Sequence, residues 1–154
     1  MASSTMVRVV LAGLALLLPA AACRGDEDAA GTDASFTAEL CEAMNETNAD
    51  LVKLEKEATA MDFEQMAKRV SEILDDLADA LAGASPPQDM AAWNRDAVKT
   101  IRGAADSLTR TQRSSSLDVL GDSPLPDPPS GIRTRIEAAA RESPACRGLT
   151  LFGE

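Results

Sequence analysis

Hydrophobic side chains recur at alternating steps of three and four along most of the chain, which is the pattern of amphipathic helices. Between residues 40 and 61 this pattern predicts one buried stripe with a single polar member: Leu40, Met44, Thr47, Leu51, Leu54, Ala58 and Met61. A first long helix is therefore expected here. Cys41 lies beside its buried stripe.

A second helix is predicted to start after Asp62. Asp62 and Gln65 have the spacing of a capping box, and Met61 and Met66 stand where a hydrophobic staple would place them. The helix has a continuous apolar side: Phe63, Met66, Val70, Ile73, Leu74, Leu77 and Leu81. Gly83 suits the left-handed residue that often ends a helix, so the chain is expected to turn there.

A third helix is predicted to follow at once, with Ser85 as its cap and Pro86 at its first position. Its inward side chains would be Met90, Trp93, Ala97, Ile101, Ala104 and Leu108. Because the connections between the first three helices are short, the helices are expected to pack as antiparallel neighbours.

The next segment is rich in proline. Four prolines fall between Pro124 and Pro129, so residues 121–131 are predicted to form a loop. Ser130 and Gly131, at the end of that loop, are expected to begin a short fourth helix that Pro144 stops, with these side chains inward: Ile132, Ile136, Ala139 and Ala140. The tail offers Leu149, Leu151 and Phe152 as core plugs. Residues 35–154 are therefore predicted to form an all-α domain, a small antiparallel bundle of three long helices and one short helix.

The amino-terminal region has the layout of a signal peptide. No charge occurs from Val9 to Ala22, and this run of 14 residues is shorter than the roughly 20 that a membrane-spanning helix needs. Residues 1–22 are therefore predicted to be a signal peptide. Residues 23–34 contain four acidic residues and no large apolar side chain, so they are predicted to form a flexible acidic tether.

The segment "LPAAAC", ending at Cys23, resembles the lipobox of bacterial lipoproteins, although Ala20 stands where that family usually has leucine. The stretch "FTAELCEAMNET", the "LADAL" of the second helix, the proline-led third helix and the late cysteine resemble small helical lipoproteins of high-GC Gram-positive (actinobacterial) bacteria. The resemblance implies that Cys23 is lipidated and anchors the protein to the extracytoplasmic face of the cell membrane. An uncleaved leader helix and a simple secretory cut after Ala22 are the alternatives.

If Cys23 is lipidated, Cys41 and Cys146 remain as an even pair in an exported chain, which favours a disulfide. Such a bond would hold the tail of the chain against the start of the first helix. The alternative is a pair of buried free thiols.

The composition limits the chemistry available. The chain has no histidine and no tyrosine, which removes the usual neutral-pH general base and the commonest nitrogen ligand for metals. We therefore expect no enzyme activity and no cofactor. The densest acidic cluster comprises Glu72, Asp75, Asp76 and Asp79 on one helical face, which is either a solvated surface or a cation site.

Charge is distributed unevenly. Residues 36–82 contain 12 acidic and 4 basic side chains, whereas residues 86–154 contain 9 of each. Four arginines occur late in the chain: Arg133, Arg135, Arg141 and Arg147. They are expected to pair with the acidic hairpin of the first two helices, residues 36–82, or to face anionic headgroups. Trp93 is either a core residue or, with Arg133 and Arg135, part of a ligand or partner surface.

The net charge of −10 excludes nucleic acid as the expected partner. The leading functional hypothesis is a membrane-anchored lipoprotein that binds an unknown protein or envelope component without catalysis. The alternative is a carrier that holds a lipid or another apolar ligand between its helices.

Overall fold

The computed structural model describes residues 30–111 and 125–152, and every regular element in these two ranges is helical. The predicted signal peptide, Cys23 and most of the predicted tether lie outside the described residues, as does the segment 112–124. The described elements are α1 (Asp33–Glu57), a 3₁₀ helix (Ala58–Ala60), α2 (Phe63–Gly83), α3 (Ala91–Thr111), α4 (Ser130–Glu142) and a second 3₁₀ helix (Pro144–Cys146). The predicted all-α class and helix count are confirmed.

α1 begins two residues earlier than the predicted start of the domain at Ser35. Thr32 caps the helix, since its hydroxyl accepts a hydrogen bond from the Ser35 backbone N–H at 3.1 Å and the Ser35 hydroxyl accepts one from the Thr32 N–H at 2.9 Å. This reciprocal pair satisfies donors that a helix start leaves without partners. The last residues of the predicted tether are therefore part of the folded domain.

α2 starts and ends as the sequence predicts. Asp62 accepts from the Gln65 backbone N–H at 2.8 Å, and the Gln65 side chain accepts from the Asp62 N–H at 3.1 Å. The helix does end at Gly83, but the left-handed conformation predicted for this glycine is wrong. Gly83 remains helical, and the chain leaves through Ala84 in an extended conformation. Among the described glycines, the positive φ belongs to Gly148.

α3 starts later than predicted. Ser85 and Pro86 each precede a proline, and the residue before a proline is pushed out of the helical region. The chain therefore stays irregular until a turn in which the Met90 N–H donates to the Pro87 carbonyl at 2.9 Å, and α3 begins at Ala91. All six predicted inward residues are nevertheless buried: Met90, Trp93, Ala97, Ile101, Ala104 and Leu108.

α4 packs along only part of the length of α1, because it is about half as long. It begins at Ser130, so the described part of the predicted loop 121–131 is limited to residues 125–129, and it ends ahead of Pro144 as expected. Its Ile136 is fully buried, whereas Ile132, Ala139 and Ala140 are partly buried. At 1.5 Å per residue its 13 residues span about 20 Å, against about 37 Å for the 25 residues of α1.

Consecutive helices pack on each other from α1 to α3, and α4 packs on α1. α2 packs most extensively on α3, and α1 lies between α2 on one side and α4 with the following 3₁₀ helix on the other. These elements enclose one hydrophobic core. None of the described helices combines the length and the apolar character that crossing a membrane requires.

Candidate functional site

The two ends of the bundle differ in how they are closed. The proximal end contains the start of α1, the end of α2 and the starts of α3 and α4, whereas the distal end contains the end of α1, the 3₁₀ helix Ala58–Ala60 and the start of α2.

A disulfide closes the proximal end. Cys41 on α1 is bonded to Cys146 in the tail, with their Cα atoms 5.0 Å apart, so the predicted pairing is confirmed. One turn further along α1, the Asn45 side-chain amide donates to the Ala145 carbonyl at 2.7 Å. Together these bonds fix the tail to the first half of α1.

Trp93 lies inside the proximal end. Its ring is only 6% exposed and makes edge contacts with Phe36 at 6.2 Å and with Phe152 at 6.1 Å between ring centroids. The indole N–H donates to the Pro126 carbonyl at 3.2 Å, so its polar atom has a partner. Trp93 is therefore a core residue and contributes no exposed ligand platform.

The tail seals this aromatic cluster. Leu151 and Phe152 are buried in the core, as the sequence predicts, and Leu149 packs against it while partly exposed. The Arg133 guanidinium carbon lies 5.6 Å from the centre of the Phe152 ring, a cation–π distance. The same arginine donates to Glu137 at 2.9 Å and lies 3.7 Å from Asp127.

Arg135 ties three parts of the proximal end together. It donates to both carboxylate oxygens of Asp33, at 2.8 and 2.5 Å, and also to Asp89 in the turn before α3. The hydrogen bond from Arg135 lowers the pKa of Asp33, although partial burial opposes this effect, and the two carboxylates raise the pKa of Arg135. The charge of Arg135 is thus paired with carboxylates of the same chain.

These partners correct one prediction. Arg133 and Arg135 do pair inside the bundle, but their acidic partners are Asp33, Asp89, Asp127 and Glu137, all outside the acidic stretch 36–82. Sequence reasoning missed the pair of Arg135 with Asp33 because the two positions are 102 residues apart. The pair of Arg133 with Glu137 has the i,i+4 helical spacing, which is a signal that the sequence does contain.

The acidic face of α2 is partly neutralised by nearby cations. Glu72 contacts Arg69 at 2.9 Å, and Asp79 contacts Arg102 of α3 at 2.6 Å. The pKa of Asp75 is raised, chiefly by partial burial and then by the neighbouring carboxylates Asp106 and Asp79. Within residues 30–111 and 125–152, no three side chains of the histidine, cysteine, aspartate or glutamate type are placed to hold a metal ion.

The distal end leaves apolar side chains uncovered. The exposed large hydrophobic residues of the described chain are Leu51 at 39%, Val52 at 50% and Phe63 at 37%, and all three belong to this end. Leu51 and Phe63 continue the buried stripes of their own helices, so the predicted stripe of α1 is wrong at Leu51. An open groove of about 630 Å³ at the start of α2 has Met61, Gln65 and Arg69 in its lining.

Val52 shows why this surface is open. It lies seven residues beyond Asn45, which is two helical turns along the same face of α1. The tail contacts α1 at Asn45, whose side chain donates to the Ala145 carbonyl, whereas Val52 is half exposed. The sequence predicts a fourth helix shorter than the first, which is a sign that part of α1 is left uncovered, but it does not indicate which residues.

Comparisons of the chain with known protein families, with curated proteins and with solved structures found no match.

Proposed function

We propose that this chain is an extracytoplasmic lipoprotein that is held on the cell membrane by acyl groups on Cys23 and binds another protein or envelope component with its distal end. The observation that carries the binding role is the placement of Leu51, Val52 and Phe63, which are uncovered at one end of an otherwise well-packed bundle. Apolar side chains that a fold leaves exposed together are a feature of interaction surfaces.

Two features support the anchor. The uncharged segment before Cys23 resembles a lipobox, and the disulfide uses the other two cysteines, so Cys23 alone is left for acylation. Stable disulfides form in oxidising compartments outside the cytoplasm, which agrees with export of the chain. One acyl chain holds a protein only marginally, so lasting attachment requires two or more.

The absence of histidine and tyrosine from the whole sequence supports a role without catalysis. The alternative role, a carrier with an apolar ligand between its helices, calls for an enclosed cavity. The grooves of about 630 Å³ and 410 Å³ in the described chain open to solvent instead, and Leu77, Ile101 and other large core side chains fill the space between the helices. We therefore favour binding at the surface.

A photo-crosslinking amino acid placed at position 51, 52 or 63 tests the binding role in cells that carry the protein. We expect each distal position to give an adduct with the same partner. Matched controls place the amino acid at Ala92 or Thr100, which are exposed positions of α3 away from the distal surface. Equal adducts from distal and control positions, or none from the distal positions, would contradict the proposal.

Metabolic labelling with an alkynyl fatty acid tests the anchor separately. We expect the label in the wild-type protein and in the double variant Cys41→Ala/Cys146→Ala, which keeps Cys23. The Cys23→Ser variant should carry no label, because it lacks the sulfur that is acylated. A label that persists in Cys23→Ser would place the acyl group elsewhere and overturn the assignment of the anchor.

A further inference from the structure

A second surface feature lies at the tail, away from the distal end. The end of α4 and the residues after it enclose an open groove of about 410 Å³. Apolar side chains form part of its lining, namely Ala140, Leu149 and Phe152, and Arg141 and Arg147 stand beside them.

These two arginines differ from the two that precede them. Arg133 and Arg135 are engaged with carboxylates, whereas Arg141 and Arg147 are exposed and form no ion pair with any residue of the two described ranges. Glu137 is the acidic residue of the lining, and its carboxylate accepts a hydrogen bond from Arg133. The groove therefore has surplus positive charge in a chain whose net charge is −10.

The backbone holds this arrangement in place. Cys146 is fixed by its bond to Cys41, and the Leu149 N–H donates to the Cys146 carbonyl at 3.1 Å, closing a tight turn. Gly148 adopts a φ of 79°, a conformation that side-chain-bearing residues rarely take. This turn places Arg147 and Leu149, on either side of the glycine, in the lining of one groove.

The chemistry of the lining selects a class of ligand. Guanidinium groups bind phosphate through paired hydrogen bonds, and each such contact is stronger than a neutral hydrogen bond. The adjacent apolar side chains favour a ligand whose phosphate is attached to a hydrocarbon portion. A simple anion would leave the apolar lining uncovered, and a neutral lipid would leave the two arginines without a counter-charge.

The groove lies close to the point where the chain would leave a membrane. Cys146 in the groove lining is bonded to Cys41 of α1. Cys41 lies eight residues after Asp33, which is about 12 Å of helix. Asp33 is ten positions after Cys23, so that part of the chain spans at most roughly 33–36 Å. An anchor at Cys23 would keep the groove within reach of lipid headgroups.

We propose that the groove formed by α4 and the tail binds the phosphate headgroup of an anionic membrane phospholipid, with Arg141 and Arg147 on the phosphate and Ala140 and Leu149 beneath the start of the acyl chains. This goes beyond the proposed function, although it draws on the membrane location that the proposed function includes. It assigns a second contact with the membrane in addition to the acyl anchor.

Titration of the full chain in a neutral detergent with dihexanoylphosphatidylglycerol, below its micelle concentration, tests this proposal. Isothermal titration calorimetry measures the affinity, and the fluorescence of Trp93 reports independently because its ring contacts Phe152 in the groove lining. We expect saturable binding that is at least tenfold tighter than that of dihexanoylphosphatidylcholine. The Arg141→Gln/Arg147→Gln variant should bind phosphatidylglycerol at least tenfold more weakly.

The matched control is Arg95→Gln/Lys99→Gln, which removes the same charge from exposed positions of α3 and should leave the affinity unchanged. Equal affinity of the Arg141→Gln/Arg147→Gln variant, or equal binding of both lipids, would overturn the proposal. Competition by inorganic phosphate at the same affinity as phosphatidylglycerol would also overturn it, because the apolar lining would then contribute nothing. If the protein extracted from its own cells carries no acyl groups and still binds phosphatidylglycerol, the anchor is refuted while the groove is supported.

Discussion

The two halves of α1 carry the same apolar spacing but have different surroundings. In the first half, Phe36, Leu40 and Cys41 are fully buried beneath α4, the tail and the aromatic cluster around Trp93. In the second half, Leu54 is still buried, but Leu51 of the same stripe is 39% exposed and Val52 is half exposed. The difference shows that a periodic stripe determines which side chains face a neighbour, whereas the length of that neighbour determines which ones are buried.

The largest expected contrast is between two phenylalanines. Phe36 is fully buried and Phe63 is 37% exposed, so they offer the same substitution at opposite ends of the bundle. Phe36→Ala should lower the free energy of unfolding by about 3–5 kcal/mol, because it opens a cavity beside Trp93. Phe63→Ala should lower it by less than about 1 kcal/mol. Urea denaturation of both variants measures the difference, and similar losses at the two sites would contradict the comparison.

The disulfide is the next largest expected effect. Replacing both cysteines, in Cys41→Ala/Cys146→Ala, should lower the free energy of unfolding by about 2–5 kcal/mol, since the bond closes a loop of 105 positions and constrains the unfolded chain. Chemical denaturation of this variant and of the reduced wild type should give matching values. A loss below about 0.5 kcal/mol would mean that the tail is held without the bond.

The Arg135 cluster should make the proximal end sensitive to acid. The folded state lowers the pKa of Asp33 below its ordinary value of 3.8, so the unfolded chain takes up this proton first as pH falls. The stabilisation from Asp33 is therefore present above about pH 4 and is lost as pH falls through the folded pKa. Thermal melts should show Asp33→Asn less stable than wild type at pH 7, by less than the disulfide contributes.

The same melts should show the two proteins converging at low pH. Asp96→Asn, which removes one exposed carboxylate from α3, provides the control and should show no such convergence. A difference between Asp33→Asn and wild type that stays constant from pH 7 to pH 2 would show that Arg135 does not act through the ionised carboxylate.

The smallest expected effect lies on α2. Partial burial and neighbouring carboxylates raise the pKa of Asp75, so ionising this carboxyl costs more free energy in the folded chain than in the unfolded chain. Asp75→Asn should raise the free energy of unfolding by a few tenths of a kcal/mol, the size expected for one like-charge pair on a helix. The gain should shrink as pH falls through the raised pKa. A destabilised variant at pH 7 would mean that Asp75 has a favourable partner.

Local signals predicted the elements that local chemistry controls. The start of α2 at Phe63 follows from the side chains of Asp62 and Gln65, which cap the helix within four residues. The disulfide followed from counting cysteines in a chain that the sequence predicts to be exported. The start of α3 was predicted too early because Pro86 by itself suits a first helical turn. Pro87, however, disfavours the helical conformation at Pro86, as Pro86 does at Ser85.

Features that depend on distant partners were not predictable in this way. The exposure of Leu51 depends on where α4 ends, and the pairing of Arg135 with Asp33 spans 102 residues. The groove beside Arg141 and Arg147 exists because the tail folds back after the disulfide. The sequence nevertheless identified the late arginines as candidates for anionic headgroups, and two of the four retain that role in our proposal.

The intact mass of the protein extracted from its own membrane tests the central claim of an anchored exported bundle most directly. The account predicts a chain that starts at Cys23, carries the added mass of a diacylglyceryl group there, and has two hydrogens fewer because of the bond between Cys41 and Cys146. A chain that starts at Met1 and has three unmodified thiols would contradict it.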